Sequence, residues 1–194
     1  MAQRFVAHPR LRALIPMPAA ITRPDAAEYV TFFNRYIALV PADDVVTVLR
    51  EQGRVLVATI AALDEARGGE RYADGKWSIR EVIGHLIDVE RIFTYRALRI
   101  ARGDATPLPG FDENSYVEHS GADSRTLADL REEFGSVRDG TVRLFDALPE
   151  GAATRLGVAS GHSVSVRALA YICAGHAAHH LGLLHERYGI AAVR

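Results

Sequence analysis

Four stretches of this sequence place apolar residues along one side of a helix, and each stops at glycine or proline. Such stripes must be buried against one another, which leaves few folds open. The first stretch covers roughly residues 43–66, with Val45, Val48, Leu49, Leu56, Ile60 and Leu63 on one face and Gly68-Gly69 behind it. Gln52 and Thr59 fall on that same face, where each needs a polar partner. The second opens at Ser78-Ile79-Arg80-Glu81, a capping box, and reaches about Arg102, with Val82, His85, Val89, Ile92, Arg96 and Ile100 inward. The third spans about Ser124 to Leu148, with Leu127, Leu130, Phe134, Val137, Thr141, Leu144 and Leu148 inward. The fourth spans about Ser165 to Tyr188 and is closed by Gly189.

The expected fold is therefore all-α: a four-helix bundle with a long connection, residues 103–123, between its second and third helices. Connections of that length are often functional, and this one is expected to cross one end of the bundle and cover a site. Residues Asp25 to Leu39 read as a short helix, since Tyr29, Phe32, Phe33, Tyr36 and Ile37 recur at helical spacing. Residues 1–24, broken by Pro9, Pro16, Pro18 and Pro24, read as an extended arm ahead of a domain over 25–194. No strand pattern and no internal repeat stand out.

A net charge of −1 offers no basic excess for a phosphate backbone, so nucleic acid is not an expected partner. No apolar run is long enough to span a bilayer, and the N-terminus has no signal-peptide pattern. The single Cys173 excludes an internal disulfide and fits a reducing compartment, so a cytoplasmic setting is expected.

Histidine is unevenly distributed. Of eight, five lie between His162 and His185. On the fourth helix His176 and His180 are one turn apart on the buried face, about 40° from one another, which lets two imidazoles aim at one ion. His179 sits at the edge of that face and His185 on the solvent side. His85 is on the inward stripe of the second helix. A buried imidazole needs a partner, and a shared metal ion would serve all three; the alternative is that each bonds a carbonyl or carboxylate of the core.

Trp77-Ser78 at the start of the helix that carries His85, followed far downstream by His176-Ala177-Ala178-His179-His180, resembles the DinB-like and YfiT-like superfamily of metal-dependent enzymes. The similarity runs over roughly residues 25–189 and includes Tyr36 to Pro41 and Phe111-Asp112-Glu113-Asn114. The resemblance implies a four-helix bundle, a divalent ion, zinc or nickel, and a homodimer. It implies His85, His176 and His180 as ligands and leaves the middle histidine, His179, out. Relatives include transferases of low-molecular-weight thiols and a thiol-dependent isomerase.

Three neutral ligands leave an ion fully charged with an open position, the pattern of a catalytic site. A bound thiol could then be deprotonated for attack on an electrophile, which points to a small-molecule transferase. A metal-dependent hydrolase using metal-bound water is the second reading. A non-catalytic protein braced by its metal is the third. The His-Glu-x-x-His arrangement of zinc proteases is absent. Asp88 and Glu90 are candidate bases, each with a solvated or inter-helical charge as the alternative. Cys173 is a candidate fourth ligand or else a small core residue. Arg96 lies about 16 Å along the helix from His85 and reads as half of a buried ion pair. Tyr36, Gln52 and Thr59 are candidates for pocket lining.

Overall fold

Each long helix begins where a short polar side chain can hold a free amide of the first turn. In the computed structural model, which describes residues 20–41 and 44–193, Asp44 caps α2 (Val45–Ala61) and Ser78 caps α3 (Ile79–Ala101). Thr126 caps α5 (Leu127–Asp146) and Ser165 caps α6 (Val166–Tyr188). The capping box of α3 forms in both directions: Glu81 N–H donates to Ser78 Oγ at 3.1 Å, and Ser78 N–H to the Glu81 carboxylate at 2.8 Å. These four helices are the bundle.

Their packing follows the ring α2–α5–α3–α6, so the sequence neighbours α2 and α3 stand diagonally, as do α5 and α6. This ring sets α3 directly beside α6, which is what brings His85 to the later histidines. The helix α6 is buried on nearly all sides from Val166 to Ala177, whereas α2, α3 and α5 keep a wet face. The inward polar groups of α2 find partners: Gln52 Nε2 donates to Ala174 O at 3.0 Å, and Thr59 Oγ1 accepts from Val193 N–H at 3.0 Å.

Several expectations need correction. The buried stripe of α5 is Leu127, Leu130, Phe134, Arg138, Thr141 and Phe145, with Val137 and Leu144 only partly covered. The stripe turns because Arg138 enters the core to pair with Glu90 of α3, at 2.7 Å on each of two N–H···O bonds, and donates a third to Leu49 O at 3.0 Å. The segment Asp25–Leu39 is two 3₁₀ turns, Ala26–Glu28 and Thr31–Phe33, and a single α-turn, α1 (Asn34–Ile37). Its β-branched and aromatic run Tyr29 to Phe33 disfavours a longer helix. The arm expected over 1–24 lies outside the described residues up to position 19. Beyond it Ile21 is buried, and Arg23 donates to the Ile37 and Val40 carbonyls.

The loop between α5 and α6 contains a hairpin, β1 (Leu156–Ala159) and β2 (His162–Ser165), paired antiparallel with Ala159 opposite His162. Its two-residue turn, Ser160-Gly161, has positive φ at both positions (52° and 79°), the twist that tight hairpins favour. The long connection docks on this hairpin: Leu108 N–H donates to Val158 O at 2.9 Å and Leu108 O accepts from Ser160 N–H at 3.0 Å. It then forms a short helix, α4 (Glu113–His119), capped by Asp112.

Candidate metal centre

Two features of α6 shape the site. Val166 to Tyr188 runs without a break, so His176 and His180 stack one turn apart on the side that meets α3. Gly175 lets the α1 segment lie directly on the helix, because a Cβ there would meet Tyr36 O at 2.1 Å. The Tyr36 ring consequently packs edge-on against His176, with centroids 5.5 Å apart.

One nitrogen from each of His85, His176 and His180 lies within 4.8 Å of the others. His85 Nε2 and His176 Nε2 face one another at 3.1 Å. A tetrahedral ion with bonds of about 2.0–2.1 Å separates its ligand atoms by about 3.4 Å, so small side-chain shifts bring this group to that spacing. The three residues are only 3%, 6% and 7% exposed. Trp77 closes one side, 4.7 Å from the His85 ring and stacked at 6.5 Å on His180, while Phe93 lies edge-on to His176 at 6.0 Å.

Burial keeps these rings neutral. Loss of solvent, helped by His179, lowers His85 to a pKa of about 4. The same cause, then the neighbouring histidines, pushes His176 and His180 well below the usual range. Neutral imidazoles with facing lone pairs are what a cation requires. Moreover, His180 Nδ1 is buried with no hydrogen-bond partner among the described residues. A histidine with an orphaned buried nitrogen, grouped with two others, fits a metal ion better than three separately satisfied core histidines.

The other candidates lie elsewhere. Glu90 is held by Arg138, and Asp88 is half-buried with Arg91, Glu133 and Arg125 as its charged neighbours. Cys173 is buried beside Glu90 and Arg138, with its thiol pushed up by burial, and is not in the histidine group. His179 is exposed, edge-on to Tyr36 at 5.5 Å, and also outside the group. Arg96 is buried but has no carboxylate within ion-pair distance among the described residues, which corrects the expected ion pair. Its Nη2 donates instead to Pro109 O at 2.8 Å and Ser160 Oγ at 3.0 Å.

Two cavities border the histidine group. A cavity of about 520 Å³ is lined by His176, Tyr36, Phe93, Arg96, Phe111 and Ser160, among others. A smaller one of about 230 Å³ is lined by His180, Trp77, Val82, Leu183 and Tyr188. Asn114, on the first turn of α4, lines both. The long connection thus covers the site as expected, through Phe111 to Asn114. Tyr36 is a lining residue, and Gln52 and Thr59 line neither cavity. The hairpin residues Ala159, Ser160, His162, Ser163 and Val164 form a wall that the sequence reading missed. Its one signal was the Ser160-Gly161 pair, a turn dipeptide between two short alternating runs.

The sequence pattern of the DinB superfamily matches residues 49–184, a span that holds all three histidines. The chain is a member of the DinB superfamily. Among solved structures it is similar to YfiT from Bacillus subtilis, described as a probable metal-dependent hydrolase with an unusual four-helix bundle topology. The identity is 18% and the TM-score 0.64, over 76% of this chain and 87% of that one. It is also similar to a mycothiol-dependent maleylpyruvate isomerase, at 15% identity and a TM-score of 0.62, over 81% of this chain and 63% of the isomerase. A histidine-to-alanine mutant of that isomerase matches at 14% identity with the same TM-score of 0.62. These likenesses establish the shared fold of the DinB member described here. No curated protein matches the chain. No helix among the described residues is long and apolar enough to cross a membrane.

Proposed function

We propose that this DinB-superfamily protein is a metal-dependent transferase that activates a low-molecular-weight thiol at a zinc or nickel ion held by His85, His176 and His180. The observation that carries this reading is a pair of cavities bordered by the histidine group, one lined by His176 and the other by His180. Two compartments suit two substrates, a thiol and a larger electrophile. A divalent ion on three neutral nitrogens supplies the positive charge that lowers the pKa of a bound thiol.

The chain's own residues do the rest. His85, His176 and His180 would hold the ion without charge of their own. Trp77 and Phe93 exclude water from two sides, which strengthens electrostatic attraction inside. Tyr36 and Phe111 offer aromatic faces to an apolar part of the electrophile. The thiol sulfur would form a bond to the electrophilic carbon as the bond from that carbon to its leaving group breaks; the leaving group departs with the electron pair, and the thiol proton passes to solvent. Among the described residues no carboxylate stands in the histidine group to act as a base, which favours an acidified nucleophile over base-assisted attack. We place residues 25–194 in one domain that forms a homodimer, which the family resemblance supports, and in the cytoplasm, which the single Cys173 supports.

A hydrolase that needs no thiol is the second reading, favoured by the description of YfiT. Metal-loaded protein offered a panel of electrophiles, with and without each of several cellular thiols, separates the two. The transferase reading expects thiol and electrophile to disappear one for one. Turnover at the same rate without thiol overturns it in favour of hydrolysis.

A further inference from the structure

The electrophile cavity has a charged floor. Along α3 its wall runs from Val89 through Phe93 to Arg96, so the histidines and the guanidinium occupy opposite ends. Arg96 is 5% exposed, and no carboxylate among the described residues lies within ion-pair reach of it. The two acids on the same cavity wall, Asp112 and Glu113, are exposed and neither pairs with Arg96; Asp112 accepts from Ser115 N–H at 2.8 Å as the cap of α4. Two neutral acceptors, Pro109 O and Ser160 Oγ, hold one nitrogen of the fork, and Phe111 lies 5.7 Å from its centre. Burial lowers the pKa of Arg96, which marks a cation short of compensation.

Buried guanidinium groups are normally paired, and a planar fork matches a carboxylate in two-pronged fashion. Ser160 contributes from the first position of the hairpin turn, so its hydroxyl is held on the rim of the cavity by the β1–β2 pairing. We propose that Arg96 and Ser160 form an anion subsite that holds a carboxylate of the substrate, with the reacting atom at the histidine end. The inference rests on the enzymatic reading of this pocket and narrows its substrate class to organic acids. The Cα atoms of His85 and Arg96 are separated by about 16 Å of helix rise, and the Arg96 side chain leans back toward the helix start. The acid is therefore an extended one, whose carboxylate is remote from the reacting carbon. The carboxylate can belong to the electrophile or to the thiol, since the chemistry at Arg96 is the same.

The test is ligand titration by NMR on the full chain, as purified and after chelation, with two matched pairs: phenylbutanoate against phenylbutanol, and mercaptopropionate against mercaptopropanol. Chelated protein removes any binding of carboxylate to an ion, so the result stands apart from whether the histidines hold metal. The subsite predicts that the acid binds about tenfold more tightly than its alcohol in wild type, and about equally in Arg96→Gln. Preference in the phenylbutanoate pair assigns the carboxylate to the electrophile, and preference only in the mercaptopropionate pair assigns it to the thiol. If Arg96→Gln does not fold, Arg96→Met preserves the side-chain bulk without the charge and carries the same expectation. Equal binding of acid and alcohol in wild type, or a preference unchanged by the loss of Arg96, overturns the inference.

Discussion

His85 and His176 meet ring nitrogen to ring nitrogen at 3.1 Å across the α3–α6 interface, although 91 positions separate them in the chain. Two buried imidazoles in that position can share one proton or one cation. With His180 as a third, and its Nδ1 unpartnered, the cation accounts for more of the geometry. The bundle ring makes this possible, since it seats α3 beside α6.

Protonation should destabilise the metal-free protein in mild acid. The folded-state pKa of His85 is depressed to about 4 from 6.5, so its contribution is intact above 6.5 and lost as the pH falls toward 4. Glu28 extends the loss: the Arg167 guanidinium holds its carboxyl at about 2 against 4.5, so its stabilisation is present above 4.5 and fades as the pH drops through 2. Thermal midpoints of chelated protein should fall steadily from pH 7 to pH 4. A flat profile between 6.5 and 4.5 would contradict the burial of the three rings.

The Glu90–Arg138 pair should act on stability and not on metal content. Both side chains are 3% exposed, and both prongs are at 2.7 Å. Breaking such a pair on one side leaves a buried charge and costs about 3–5 kcal/mol. Glu90→Gln should lower the denaturant midpoint by a corresponding amount while ion binding stays as in wild type. Loss of metal in a folded Glu90→Gln protein would place Glu90 in the metal site after all.

Gly175 and Gly182 lie on the same helix and should respond in opposite directions. A Cβ at Gly175 would strike Tyr36 O at 2.1 Å, whereas one at Gly182 meets nothing within 4 Å. Gly175→Ala should cost about 1–3 kcal/mol by overpacking and loosen the Tyr36 wall, which weakens substrate binding. Gly182→Ala should stabilise by about 0.5–1 kcal/mol through helix propensity. Equal effects in chemical denaturation would mean that α1 does not rest on α6.

The helices and the inward placing of the histidine group were legible in the sequence because both follow from one periodicity. Ser78 and Glu81 fixed the start of α3, and spacing alone put His85, His176 and His180 on inward faces. Arg138 was not legible, because a charged residue on a helix is read as outward unless its partner is known. Glu90 supplies that partner from 48 positions away. The hairpin was hidden for another reason. Its strands are four residues each, one of them holding Gly157, and they are stabilised by docking of Leu108 rather than by a stripe of their own. Since that hairpin carries Ser160, the far end of the pocket stayed invisible while the histidine end did not.

Elemental analysis tests the central claim most directly, on full-length protein made without a histidine-rich tag, wild type beside His180→Ala. About one zinc or nickel ion per chain is expected in wild type, with most of it lost in the variant. Wild-type protein that binds neither ion after reconstitution would contradict the account and return the three histidines to the core.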